Sequence, residues 1–304
     1  MISPPTLRQR LVSLVTRRYP FYSGCGTFAN SKLVNVLAGP SSNCVWAHVP
    51  GGELLAPLND YVGRAAYFVG DLDRKITGIC SLIVKPGDTA LDIGANIGLV
   101  TVHLSTLVGK QGRVHAFEPN PRMQEFVRKA MERNNLSNVS LHPFGLGDKM
   151  GVLNLTVPKD NAGAGSLIRN VDRPNCDIVE VPIRTLSDVV EKEGIKSIKL
   201  MKIDVEGFEA QVFQGGASVL EQLKPEAILF ELNDHWKGPV AEQPCFRILK
   251  ELGYQFFSIP KQFCSARIKP LDSSLVSQAE GHDFLASPAG PVYEKIHKMV
   301  NRQS

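Results

Sequence analysis

The sequence predicts a doubly wound α/β fold built on a mostly parallel sheet, and three observations predict it. Short apolar runs alternate with helix-length stretches from residue 86 to residue 290, the pattern of a parallel sheet covered on both faces. One run, Ala90-Leu91-Asp92-Ile93, stops in the turn Gly94-Ala95-Asn96-Ile97-Gly98 and opens a helix. Acids recur at the ends of four expected strands, as Asp92, Glu118, Asp204 and Glu231. That rim is where such sheets bind ligands.

Residues 1–85 read as an accessory region that shapes a substrate pocket. Leu7 to Arg18 is a short amphipathic basic stretch with two readings, a contact with anionic lipid or, as the commoner case and the one expected, a surface helix docked on its own domain. Val45 to Leu58 reads as a hairpin turning at Pro50-Gly51-Gly52. Asp73 is placed to cap a helix with the apolar face Ile76, Ile79, Cys80 and Ile83, ended by Pro86-Gly87. The main unit then runs from 86 to 290. Its strands are expected at 90–93, 113–117, 139–144, 198–203, 227–232, 254–259 and 283–286. Its helices start at Gly98, Pro121, Leu186, Phe208 and Phe246. Val152 to Val157 and Ile178 to Ile183 alternate and form an added antiparallel pair. The loop Asp160 to Asn175 between them is polar, glycine-rich and ligand-facing. Residues 291–304 form a C-terminal tail.

Composition bounds the partners. With 304 residues, net charge +4 and pI near 8.7, the chain lacks the concentrated basic stripe of a nucleic-acid binder. Six scattered cysteines without a C-x-x-C pair, and histidines without ligand spacing, point to reduced thiols and no metal site. No run is long enough to span a membrane and no secretory signal is visible, so a cytoplasmic protein is expected.

The glycine turn selects the ligand. A dinucleotide site wants G-x-G-x-x-G so that backbone amides can take a pyrophosphate. Here Asn96 stands in place of the second glycine, and Asp92 at the strand end would repel phosphate. A carboxylate there suits a ligand carrying an ammonium or a sulfonium, such as S-adenosyl-L-methionine. Glu118 follows the loop by roughly 20 residues, the spacing at which an acid reaches a ribose diol. Lys202-Ile203-Asp204-Val205-Glu206-Gly207 repeats the pattern at the fourth strand. Acids at strand ends in a cleft are candidates for chemistry, although helix capping explains them equally well in isolation.

These segments together resemble the FkbM-type family of S-adenosylmethionine-dependent methyltransferases. Leu91 to Thr101, Ala116 to Pro121, Asn134 to Val139, Gly145 to Asp148, Gly165-Ser166-Leu167, Lys202 to Glu209 and Phe230 to Leu232 come in the family's order. Asn59 to Arg64 resembles its N-terminal part. The resemblance implies a seven-stranded, Rossmann-like class I methyltransferase fold and O-methylation of a hydroxyl on a saccharide or small-molecule natural product. It implies that Asp92, Gly94, Asn96 and Gly98 line the methionine end of the cofactor, that Glu118 takes the ribose, and that Gly147 and Asp148 lie near the adenine. Ser166 is expected to touch cofactor or substrate, or else to be a plain loop serine. A hydroxyl acceptor must lose a proton, which calls for a base within hydrogen-bond reach. The candidates are Asp204, Glu206, Glu231 and His235. Two rivals are a non-catalytic cofactor-binding module of a biosynthetic assembly and, against the Gly94 to Gly98 turn, a nicotinamide oxidoreductase. Oligomeric state and acceptor identity have no readable code.

Overall fold

The computed structural model describes residues 2–159, 163–167, 175–232, 240–261, 268–271 and 282–301. Helices α1 (Leu7–Thr16), α2 (Cys25–Ala29) and α3 (Lys32–Ala38) lead into the antiparallel hairpin β1 (Cys44–Val49) and β2 (Gly52–Pro57). Helices α4 (Tyr61–Phe68) and α5 (Arg74–Ile83) follow. Asp60 caps α4 by accepting from the amides of Val62 and Gly63, and Asp73 caps α5 by accepting from Lys75. Such caps satisfy amides that the first helical turn leaves orphaned.

The main sheet begins with β3 (Thr89–Ile93), α6 (Leu99–Val108), β4 (Arg113–Phe117), α7 (Pro121–Asn134) and β5 (Val139–His142). A separate three-stranded sheet holds β6 (Gly145–Leu146), β7 (Gly151–Pro158) and β8 (Cys176–Arg184), with β7 and β8 antiparallel as expected. The chain returns through α8 (Leu186–Glu193), β9 (Leu200–Ile203), α9 (Glu209–Gly215), α10 (Ala217–Gln222) and β10 (Ala227–Glu231). It closes with α11 (Pro244–Glu251), β11 (Tyr254–Ile259), β12 (Lys269–Leu271), β13 (Asp283–Pro288) and α12 (Pro291–Asn301).

The strand order is β12-β11-β13-β10-β9-β3-β4-β5. The five strands from β10 to β5 are parallel, and β13 runs antiparallel between β10 and β11. All seven expected strands are present, and β12 adds an eighth at the edge. The chain leaves β3 toward β4 and comes back to β9 on its other side. That reversal opens a crevice beyond the carboxyl ends of β3 and β9.

Three details depart from the expected elements. The helix expected from Phe208 to Leu223 divides at Gly215-Gly216, where Gly215 packs so closely on the Gly147 carbonyl that a side chain would overlap it. Residues 1–85, expected as an accessory region, share a core with the main unit. One hydrophobic core joins Leu54, Ala65 and Phe68 to Ile97 and Met123 of the nucleotide half and to Leu155 and Val181 of the small sheet. Helix α1 docks on its own domain, but through its polar side: Gln9, Ser13 and Thr16 are buried, while Leu7, Leu11, Leu14 and Val15 are exposed.

Candidate active site

The turn after β3 folds back on β4. The amides of Gly94 and Ala95 both donate to the Phe117 carbonyl at 3.0 Å. Gly94 has φ +84, and a side chain there would overlap the Asp204 carbonyl, so only glycine fits. Asn96 takes the left-handed conformation at φ 55, which asparagine tolerates. Its side chain accepts from Ile97 at 2.7 Å and donates to the Gly163 carbonyl at 3.2 Å.

Two adjoining cavities of about 310 and 270 Å³ lie over this crevice. They share the wall residues Tyr61, Val62, Gly94, Asn96, Asp204 and Glu231. The second is flanked by Phe117, Leu146, Leu155 and Leu167 and carries Glu118 and Glu206. The first is rich in acids, with Asp71, Asp73 and Asp283 beside Asp204 and Glu231. Part of the loop expected to face ligand, Gly163 to Gly165, lines the second cavity. Ser166 does not: it is fully buried, bridges Thr156 and donates to the Glu206 carbonyl at 3.0 Å, a brace under the wall.

Five residues expected in the site therefore stand on the cavity walls together with Glu118: Gly94, Asn96, Asp204, Glu206 and Glu231. Asp92, Gly98, Gly147 and Asp148 stand on neither wall. Asp92 is fully buried beneath the turn, where its Oδ2 accepts from Thr101 Oγ1 at 2.6 Å. Gly98 caps α6 in the left-handed conformation. Gly147 faces Ile183 and Phe208, and Asp148 follows it at the surface. His235 lies outside the described residues.

The residue that sequence reasoning missed is Lys202. Asp92 and Lys202 are register partners on β3 and β9, so their side chains share one face of the sheet. The Lys202 ammonium lies 3.6 Å from Asp92 and 3.4 Å from Asp204, and it donates to the Gly94 carbonyl at 3.1 Å. Burial alone would lower its pKa, but Asp204 and Asp92 hold it above the ordinary value. Burial raises Asp92, opposed by Lys202. The signal was present: a lysine inside the apolar run Leu200 to Ile203 is almost never buried unless paired.

Glu118 is held from both sides. Its Oε2 accepts from the Asn96 amide at 2.7 Å and its Oε1 from the Asn120 amide at 2.8 Å. Burial nevertheless pushes it up to about 7. Glu231 is pushed up to about 8 by burial, then by the charges of Asp204, Asp283 and Glu206. Glu209 caps the turn from within, accepting from the Val205 and Gly207 amides, and burial takes it to about 7. Glu206 itself sits at φ 54, a left-handed conformation that costs a non-glycine residue about 1–2 kcal/mol. Strain of this kind clusters at functional turns.

Two predictions arise from Glu118. Glu118→Ala leaves the Asn96 and Asn120 amides without their acceptor, so it is expected to lower stability by about 1–3 kcal/mol, which a urea melt measures. The second concerns pH. A folded-state pKa of about 7 against an ordinary 4.5 means a stabilising contribution that is complete below pH 4.5 and lost as pH rises through 7. Its size is at most about 3 kcal/mol. Melting temperature is expected to fall less between pH 5 and pH 8 in Glu118→Gln than in the parent chain.

Away from the cavities, the fold assembles a group that linear spacing did not reveal. His115 Nδ1 and His142 Nε2 lie 3.1 Å apart, with the Glu193 carboxylate within 4.8 Å. Burial pushes His115 down to about 4, so the pair is a neutral hydrogen-bonded unit, with His142 stacked on Phe117.

Comparison with known proteins fits this geometry. Residues 92–256, more than half of the chain, match the family model described as the methyltransferase FkbM domain. Methyltransferase 1 of Beauveria bassiana is 32% identical over 148 residues, covering 43% of this chain and 59% of that protein. The 31-O-demethyl-FK506 methyltransferase FkbM of Streptomyces tacrolimicus is 27% identical, covering 55% and 74%. The 2-O-methyltransferase NoeI of Sinorhizobium fredii is 28% identical, covering 48% and 64%. Two of the three matches thus span less than two thirds of the relative's own length. The domain match begins at Asp92, in the strand that opens the crevice, and runs through Glu118, Asp204 and Glu231 to β11, and it makes this chain a member of the FkbM methyltransferase family.

Proposed function

We propose that the chain transfers a methyl group from S-adenosyl-L-methionine to a hydroxyl of a saccharide or other small-molecule acceptor. The observation that carries this reading is the pair of adjoining cavities at the strand-order reversal, with Glu118 on one wall and Asp204 and Glu231 between them. The residues fit the cofactor. Glu118 retains lone pairs for ribose hydroxyls beside its two amide bonds, Phe117 and Leu146 offer apolar surface for a base, and the acids complement a cationic sulfonium and ammonium. The names of two relatives refer to O-methyl positions, which supports oxygen as the acceptor atom. Residues 86–290 carry the transfer and residues 1–85 shape the acceptor side. The free thiols Cys25, Cys44, Cys80, Cys176 and Cys245 support a reducing, cytoplasmic setting.

When bound, S-adenosylmethionine supplies a methyl group already activated by its sulfonium, so the protein contributes mainly positioning. Gly94 packs closely on the Asp204 carbonyl, and Asn96 ties the turn to the Gly163 carbonyl. Asp204, ion-paired to Lys202, orients the acceptor hydroxyl and takes its proton at a carboxylate oxygen. Glu231, pushed up to about 8 by burial and its acidic neighbours, carries a proton at neutral pH and hydrogen-bonds a second acceptor oxygen. Glu206, at the strained turn, closes the cofactor side.

The test is incubation with methyl-labelled S-adenosylmethionine and a panel of hydroxylated acceptors, sugars included. Label transferred to an acceptor oxygen is the expected result. Tight cofactor binding with no transfer across the panel would favour a non-catalytic module.

A further inference from the structure

We propose that the face formed by α1 and α3 docks on an anionic membrane surface. Helix α1 is turned inside out. Ser13 Oγ donates to the Tyr67 carbonyl at 3.1 Å, Thr16 Oγ1 to the Phe68 carbonyl at 2.6 Å, and Gln9 Nε2 to Ser41 Oγ at 2.8 Å. The domain thus holds the helix by its polar side. The opposite side presents Leu7, Leu11, Leu14 and Val15, exposed by 72, 56, 67 and 69%. Helix α3 packs beside it and exposes Leu33, Val36 and Leu37. Scattered single apolar residues need no explanation, but seven exposed ones on two helices packed together mark an interaction surface.

Charge selects the occupant. The first 52 residues contain Arg8, Arg10, Arg17, Arg18 and Lys32 and neither Asp nor Glu. Arg17 is spent internally, donating to the carbonyls of Tyr67 and His48. Arg8, Arg10, Arg18 and Lys32 are exposed. At 100° per residue, Arg8 and Arg10 flank the leucine stripe and Arg18 ends it, the arrangement of a helix lying in a headgroup layer. A second copy of the chain is a poor partner. A two-fold interface through this face would set its arginines against each other, whereas anionic headgroups neutralise them. The cytoplasmic leaflet carries such a charge. Between α1 and α3, the chain lends Gly24, Gly26 and Thr27 to the wall of the first cavity, so docking ties the acceptor side of the site to the membrane.

Sedimentation of the full chain with vesicles tests this. Vesicles of phosphatidylcholine with about 30% phosphatidylserine are expected to bind at least about ten-fold more tightly than phosphatidylcholine alone, less so at high salt. The triple variant Leu11→Gln, Leu14→Gln, Val36→Gln is expected to lose at least about ten-fold in binding at unchanged melting temperature, because the removed groups are exposed. The variant Arg8→Gln, Arg10→Gln, Arg18→Gln should lose about five-fold per arginine. Equal partition to neutral and anionic vesicles would overturn the proposal. So would wild-type binding by the leucine variant, or a dimer in solution that this variant dissociates.

Discussion

Asp204→Asn is expected to lower turnover by about 10²–10⁴-fold, the range for a positioned acid–base group. Melting temperature should fall only modestly, because Lys202 keeps Asp92 and the Gly94 carbonyl as partners. The structural alternative for this residue is helix capping, and the structure assigns that task elsewhere: α9 has no side-chain cap from Asp204, and the amides of Val205 and Gly207 donate to Glu209. Asp204 instead stands on both cavity walls with its side chain 39% exposed, 3.4 Å from Lys202. Steady-state kinetics on the folded variant measure the effect. A variant that melts early yet keeps full activity per folded molecule would make Asp204 structural. Proton transfer would then fall to Glu206, Glu231 or His235.

Lys202→Met is expected to destabilise the fold by about 3–5 kcal/mol, because it strips the partner from a buried charge. Asp92 has no solvent exposure, and among the described residues it holds only the Thr101 hydroxyl beyond Lys202. Urea unfolding measures the loss. Adding Asp92→Asn should recover part of it, since the stranded charge is then gone, and the double-mutant cycle reports the coupling. A loss under about 1 kcal/mol would show that Asp92 already carries a proton in the fold.

The regular elements were legible because their signals are local. Helix α8 and strand β11 fall on the residues expected, and Pro121 and Asp73 mark helix starts as their chemistry requires. Helices α2 and α3 went unread because runs of five and seven residues carry little periodicity, and α4 because it is buried on every side from Val62 to Phe68, so no polar face marks its period. The cavity walls were legible where a strand end or the turn after it places a side chain: Gly94, Asn96, Glu118, Asp204, Glu206 and Glu231. Asp92 is not on them, because it points along a face that is closed by Lys202, 110 residues later in the chain. That pairing depends on strand order, which no local pattern encodes. The polar docking of α1 escaped for a related reason: its amphipathicity was correct, but which side meets the domain depends on the carbonyls of Tyr67 and Phe68.

The adjoining cavities are expected to hold S-adenosylmethionine with Glu118 at its ribose. Titration calorimetry with S-adenosylhomocysteine, on the parent chain and on folded Glu118→Ala, tests it most directly. The expected result is micromolar binding, roughly −8 kcal/mol, weakened by about 2 kcal/mol in the variant. Binding of NAD with none of the homocysteine nucleoside, or equal affinity in parent and folded variant, would contradict it.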